Sequence, residues 1–398
     1  MGNQLAISPI NQFYLFGSSV SRANYDINGT FNSSVQGFRP TRIGNPDAKW
    51  ETNITTNVGF EGTFFNNKFG IVFDWYQKKT EDLLYAPELP GTAGAADPPY
   101  INIASMENSG IDAEVSYKNS WGDFGFNGSV VFTTYQNEIT KIAEGVPYFD
   151  YGGSRIGAFT RNEVGHPMAS FFGYEVQGLF QDDAEVASAA DQAGAEPGVF
   201  RFANVDATDN EITPDDRTYI GNPNPKFTGG LNLAFTYKSI DLTAFLYGSY
   251  GNDIFNWNLW WIDFWPSFQG VKSKRLLNES WTPTRTNTDV PKASNTSNFS
   301  TNTQSCSYYV EDGSFLRLKN LQIGYNFPQS LLSKTNLTSL RVYVQGVNLF
   351  TITGYSGLDP EISTSTDYDN GTDDRVLGVD AGNYPMVKQY IIGLNVVL

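Results

Sequence analysis

Residues 204–217 read Asn-Val-Asp-Ala-Thr-Asp-Asn-Glu-Ile-Thr-Pro-Asp-Asp-Arg, a run dense in carboxylates and amides. Calcium takes clustered oxygen ligands at alternating positions, with an apolar anchor and a bidentate acid closing the loop. Asn204, Asp206, Asp209 and Asp216 are the candidate calcium ligands, with Glu211 offering its carbonyl and Ile212 as anchor. The competing reading is a solvated acidic turn. A second constellation is aromatic: Trp257, Trp260, Trp261 and Trp265, with Phe264 between them. Indole faces stack on sugar rings, contact a partner protein, or anchor at a membrane interface; they also simply pack. The adjacent acids Asp215-Asp216 and Asp373-Asp374 raise the question of glycoside hydrolysis. That chemistry needs two acids facing each other across a cleft, and neighbours in an Asn/Gly-rich loop do not face. The only histidine, His166, and the only cysteine, Cys306, stand far apart and in no nucleophile motif. No catalytic residue is assigned and no enzyme is expected. One cysteine makes no intrachain disulfide, and a cysteine zinc site is not supported.

The elements that must position these residues are strands. From Trp50 to Phe64 every second residue is Trp50, Thr52, Ile54, Thr56, Val58, Phe60, Gly62 and Phe64, while Glu51, Asn53, Thr55, Asn57, Gly59, Glu61 and Thr63 fall between. A period of two puts the first set on one face and the second on the other. The run is longer than the roughly 5–6 residues of an ordinary strand and exceeds the roughly 9–11 that cross a bilayer. After an Asn66-Asn67 turn the pattern resumes, with Phe69, Ile71, Phe73 and Trp75 sharing a face. A second hairpin pairs Ile111, Ala113, Val115 and Tyr117 with Phe124, Phe126, Val130 and Phe132; Asp112, Glu114, Ser116 and Lys118 fall on the polar face. A third turns at Ser239-Ile240, and a fourth runs from Leu321–Phe327 to Leu340–Val344 through a turn over 329–336 that is predicted to be briefly helical. A last strand carries Tyr390, Ile392, Leu394, Val396 and Leu398.

Short turns alternate with long connections at 86–104, 141–225, 251–312 and 352–386, and residues 1–48 read as an irregular loop leading in. A connection as long as 141–225 is expected to carry a function or an internal fold. The fold class is therefore all-β: an antiparallel transmembrane β-barrel portion of about nine long strands, whose long loops would be extracellular and whose tight turns periplasmic. Nine is odd, whereas single-chain barrels use an even number and tolerate no open edge in lipid. Earlier strands are expected outside this sequence. Residues 1–9 have no basic n-region or apolar h-region, so no signal peptide is read there, and Met1 is expected to be an internal methionine.

Composition agrees. Over 398 residues the mean hydropathy is -0.33 although aromatics reach 15%, as suits long strands that bury one face and wet the other. No apolar run approaches a transmembrane helix. A net charge of -16 argues against nucleic acid as a partner.

Several blocks together resemble the SusC/RagA family of TonB-dependent outer-membrane transporters, in its C-terminal barrel portion. They are Gly2-Asn3-Gln4; Asn-Pro-Asp-Ala-Lys-Trp-Glu at 45–51; Asn-Ser-Gly-Ile-Asp-Ala-Glu at 108–114; Gly-His-Pro-Met-Ala-Ser-Phe-Phe-Gly-Tyr-Glu-Val-Gln-Gly-Leu-Phe-Gln at 165–181; and Ile-Gly-Asn-Pro-Asn-Pro-Lys-Phe at 220–227. Further on come Gly-Ser-Tyr-Gly-Asn-Asp at 248–253, Glu-Asp-Gly-Ser-Phe-Leu-Arg-Leu-Lys-Asn at 311–320, Gly-Val-Asn-Leu-Phe at 346–350 and Gly-Leu-Asp-Pro-Glu at 357–361. The resemblance implies a barrel of about 22 strands, filled by an N-terminal plug and preceded by a TonB box, neither of which is read in this sequence. It also implies a SusD-like surface lipoprotein as lid, import of oligosaccharides or peptides, and energy from the TonB complex. The family often has Asp-x-Asn-Gly-Asp-Gly where this chain has 204–217, which carries one extra residue and neither glycine. Its final strand usually ends on an aromatic, where this chain has Leu398. The reading that competes with an outer-membrane importer is a secreted carbohydrate-binding β-protein without transport activity; solubility in plain buffer separates the two.

Overall fold

The computed structural model describes residues 10–18, 24–26, 29–30, 34–86, 89, 91–94, 96–153, 155–264, 271–333, 337–362, 366–367, 371–372 and 376–398. Nine long strands lie side by side in chain order: β1 (Thr52–Phe64), β2 (Phe69–Tyr85), β3 (Ile101–Trp121), β4 (Phe124–Ile142), β5 (Phe227–Tyr237), β6 (Ile240–Tyr250), β7 (Phe315–Asn326), β8 (Ser339–Val347) and β9 (Gln389–Val397). The sheet is open, with β1 and β9 at its edges.

The alternation seen in the sequence becomes two chemically distinct faces. Reading across the register, Phe126, Phe235, Leu242, Ile323, Val344 and Ile392 stand opposite one another on successive strands. The next row down is Phe124, Tyr237, Ile240, Tyr325, Val342 and Leu394. Much of this apolar face is bare: Val58, Phe60, Trp121, Val130, Tyr237, Ile323, Val344, Ile392 and Leu394 are all exposed. The other face is polar and internally bonded. Arg341 donates to Asp241 and to Gln322, Asn326 donates to Asp241 at 2.7 Å, and the Thr133 hydroxyl donates to Asp112 at 2.7 Å.

Aromatic rings mark both ends of the apolar face. At the short turns Trp121, Phe124, Phe126 and Phe235 form a chain of ring contacts 5.1–6.2 Å apart, and Tyr325 meets Phe327 at 5.0 Å. At the long connections Phe227 lies 5.4 Å from Phe132 and 5.2 Å from Tyr250. Phe227 and Tyr237 close opposite ends of β5; a tilted strand of that length rises about 25 Å, the height of a barrel's lipid band.

The chain divides into two compact units. The smaller gathers residues 1–56, 77–108 and 138–147. Here the irregular loop expected over 1–48 is corrected, because short strands Leu15–Gly17 and Arg39–Arg42 pair with each other, as do Asn24–Asp26 and Ser34–Gln36. The segment leading to β1 is pinned by side chains: Asn45 donates to the Tyr100 carbonyl at 2.9 Å, Lys49 N–H donates to Asn102 at 2.7 Å, and Glu51 accepts from Leu84 N–H at 2.8 Å.

The larger unit holds residues 57–76, 109–137 and 148–398. In it the connections after β4, β6 and β8 share a single core. Phe159, Phe171, Tyr174, Phe200 and Phe202 come from the first, Phe255, Trp260, Phe264, Trp281 and Tyr309 from the second, and Val376 and Val379 from the third. Four strands of the first connection, Tyr148–Gly153, Gly157–Glu163, Ser170–Tyr174 and Arg217–Gly221, form a small sheet. Strand Asp253–Asn256 of the second pairs with Val310–Asp312 and, in parallel, with Val379–Asp380 of the third.

Three boundaries differ from those read in the sequence. The first turn occupies residues 65–68 rather than Asn66-Asn67, with Phe65, Asn66 and Asn67 all at positive φ (53°, 57° and 63°). The strands β3 and β4 reach further than their alternation showed, so the loop expected over 86–104 stops at β3 and the one over 141–225 begins after Ile142. The turn between β7 and β8 contains the short helix Gln329–Leu332; residues 334–336 lie outside the described residues.

Candidate functional site

The acidic turn comes first because its four candidate ligands do gather, but around their own backbone. Asp216, fully buried, accepts from Val205 N–H at 2.7 Å, Asp206 N–H at 3.2 Å and Thr213 N–H at 2.8 Å. Asn204 accepts from Ala207 N–H at 3.0 Å, Asp206 from Thr208 N–H at 2.8 Å, and Asp209 from Glu211 N–H at 2.9 Å. Asp216 thus spends both its oxygens on N–H groups of the turn, and Asn204, Asp206 and Asp209 each spend one, so the acids serve the turn's own backbone. Among the described residues no three His, Cys, Asp or Glu side chains are grouped to hold a metal. The turn also runs into a one-turn helix, Pro214–Asp216, which a capping box with Thr213 begins.

The tryptophan run divides. Trp260 is 3% exposed, its indole N–H donating to the Asn302 carbonyl at 2.8 Å, so the ligand or lid contact expected of it is corrected to a place in the core. Its ring stands edge-on to Trp261 at 4.9 Å. Trp257, half-buried, packs on Phe159 at 5.5 Å and on Trp261 at 6.2 Å. Trp265 lies outside the described residues, as do Asp373-Asp374 and Gly2-Asn3-Gln4. The surface here is offered by Ile262, Val271 and Leu277, the last two 92% and 79% exposed. Their place beside a tryptophan run was the only signal for them in the sequence.

Two ionic clusters escaped the sequence reading. Where β7 meets the third connection, Arg317 is 3% exposed and bonds Asp359 at 2.6 Å and Glu361 at 2.7 Å, while Lys319 bonds Glu361 at 2.5 Å. Burial works against the Asp359 carboxylate, but Arg317 and the N–H groups of Glu361 and Met386 outweigh it and hold its pKa below the ordinary value. In the first connection Arg161 pairs with Asp150 at 2.8 Å, its guanidinium lying 3.4 Å from the Tyr148 ring centroid and 3.7 Å from that of Phe172. Next to it Tyr219 donates to Glu163 at 2.8 Å and carries the His166 ring stacked at 3.7 Å; burial, then Glu163, push the phenol well above its usual pKa. These side chains fasten loops.

Among the described residues the single thiol is not a nucleophile in waiting. Cys306 is wholly buried and its thiol is pushed up to about 12 by burial, which leaves no thiolate at neutral pH. The family blocks have structural duties. Gly110 has no room for a Cβ, which would come 2.4 Å from the Thr134 carbonyl oxygen, and Gly173 would likewise meet the Ser305 carbonyl oxygen at 2.4 Å. Ala169 takes φ 59° while its N–H donates to Asn162 at 2.8 Å.

An open sheet with one apolar and one polar face, ringed by aromatics and topped by connections folded on a common core, describes part of a barrel wall. Comparison with known proteins agrees: residues 5–349 match the family described as TonB dependent receptor-like, beta-barrel. The chain belongs to that family. TonB-dependent receptor P3 of Formosa agariphila is 35% identical over 371 residues, which span 92% of this chain and 36% of the relative. TonB-dependent receptor SusC of Bacteroides thetaiotaomicron is 27% identical over 384 residues, 94% of this chain and 34% of the relative. A chain in the structure of the RagAB peptide transporter superposes with a TM-score of 0.75 at 27% identity, covering 97% of this chain and 38% of that one. This chain thus spans little more than a third of the relatives it matches, and it is SusC/RagA-like over nearly all its length.

Proposed function

We propose that this chain is the barrel portion of a SusC-type importer in the outer membrane of a Gram-negative cell. The observation that carries the reading is the apolar face: side chains bare to the surroundings fill row after row between two rings of aromatics, an arrangement stable only when lipid covers it. In this reading the long connections face outwards and the short turns face the periplasm. The shared core of the connections holds a surface against which an oligosaccharide or peptide is captured under a SusD-like lipoprotein lid. Energy comes from the TonB complex acting on the part of the protein that precedes these strands. The chain performs no covalent chemistry on its cargo. Peptide import by the RagAB neighbours and the likeness to SusC both support capture of a polymer fragment.

The test is labelling of intact cells with a membrane-impermeant maleimide, which Cys306 does not confound because it is buried. A cysteine at exposed Thr286, in the second connection, reacts from outside; one at exposed Asp123, in the turn between β3 and β4, reacts only after the membrane is opened. Equal labelling of the two in intact cells would overturn the proposal, as would recovery of the protein from buffer without detergent.

A further inference from the structure

The apolar face has one interruption. Reading across the strands, Phe132, Gly229, Gly248, Leu316 and Ile352 stand in one row, the last on the short strand Thr351–Thr353 beside β7. Two adjacent positions in that row carry no side chain, so the surface dips between Phe132 on one side and Leu316 with Ile352 on the other. Adjacent strands lie about 4.8 Å apart, so the gap between the flanking side chains is on the order of 10 Å wide, ample for a hydrocarbon chain. The dip is a groove of about 660 Å³, floored by the Gly229–Gly248 backbone and bordered at one end by the stacked rings of Phe227 and Tyr250. Backbone crowding adds to the demand for glycine, since a Cβ at Gly248 would come 2.8 Å from the Phe315 carbonyl oxygen.

Past the rings the chemistry changes. A polar pocket of about 360 Å³ shares Tyr250, Asp312 and Ser314 with the groove and adds Asn222, Asn224, Lys226 and Asp253. It therefore holds one ammonium and two carboxylates, each carboxylate with one oxygen engaged by a backbone N–H: Asn222 donates to Asp253 at 2.8 Å and Ser314 to Asp312 at 2.9 Å.

We infer that this groove binds a single lipid, its acyl chain across Gly229 and Gly248 and its phosphoethanolamine headgroup in the adjoining polar pocket. The groove is continuous with the bare apolar face, which sets hydrocarbon as its occupant. The pocket beyond pairs a cation for the phosphate with acids for the amine, which an uncharged or purely anionic headgroup does not match. The inference rests on the membrane reading above.

Native mass spectrometry of the full-length receptor, taken from phosphatidylethanolamine vesicles into detergent, reads it directly. The expected result is one phosphatidylethanolamine retained per barrel. Ile352→Trp and Val130→Trp, which fill the groove from exposed positions, should each lower that occupancy at least fivefold; Ile392→Trp, on the same face but outside the groove, should leave it unchanged. Vesicles of phosphatidylglycerol, which lacks the amine, should also give at least fivefold less. Wild-type occupancy in both groove variants overturns the inference while leaving the membrane reading intact. So does a shift of those variants from dimer to monomer without change in lipid, which would make the groove a contact between protein copies. Equal retention of phosphatidylglycerol overturns the headgroup assignment, and a receptor that needs no detergent fails the membrane reading itself.

Discussion

Asp216 shows how a side chain chosen for its chemistry can serve the backbone instead. One buried carboxylate closes the 204–217 turn by taking three N–H groups. Asp216→Ala leaves those donors unsatisfied and should cost about 3 kcal/mol locally, read as faster hydrogen exchange across 204–217. Chelation of calcium should leave the exchange of the wild-type turn unchanged; faster exchange on chelation would restore the calcium reading. Asp359 offers a pH signature. Its pKa is lowered in the folded chain, so the stability it adds is present above the unfolded value of about 3.9 and is lost as pH falls from there toward the folded value. Exchange of 354–362 should therefore accelerate below about pH 4. Asp359→Asn, which leaves buried Arg317 one acid short, should cost about 3 kcal/mol and flatten that dependence. The acidity of 204–217 was plain in the sequence, but the direction of its oxygens was not, because composition does not say whether a carboxylate turns to an ion or to its own chain.

At the scale of elements, the strands were the most legible part. Alternation from Trp50 onward, the tight turns and the order of nine strands follow from a period of two that only one register satisfies. The ends of β3 and β4 were less so: past Gly110 toward Ile101 polar and apolar residues no longer alternate, and pairing with neighbours alone extends the strand. The connections were opaque for a different reason. Their core is assembled from three stretches far apart in the chain, so the aromatics of each looked like candidates for recognition until the others were placed beside them. Trp260 is the plainest case. The glycines inside the family blocks, by contrast, mark close approaches. Gly173→Ala puts a methyl group against the Ser305 carbonyl and should destabilise the connection core by about 2–3 kcal/mol, seen as a lower midpoint for loss of its fluorescence while β-sheet circular dichroism persists.

At the scale of the molecule the sheet of nine long strands is the governing feature. Its two faces make opposite demands on the same strand. Leu233→Arg, in the middle of the apolar face of β5, should cost about 2–4 kcal/mol in refolding from urea into vesicles. Asn232→Arg, one residue away on the polar face, should change little. Equal costs would mean that the wall does not divide lipid from water. What the wall encloses was never legible here, because the described strands form an open sheet with β1 and β9 at its edges.

In the importer proposed above, the common core under the three connections limits how the choice of cargo can change. Because Phe171, Phe255 and Val379 lean on one another across three separate stretches, a single connection transplanted from a relative arrives without the partners that shape it. Acquiring a new cargo by recombination then requires the stretch from residue 148 to residue 388 to travel as one cassette, strands included. Point substitutions on exposed rims such as Ile262 or Leu277 remain the gradual route.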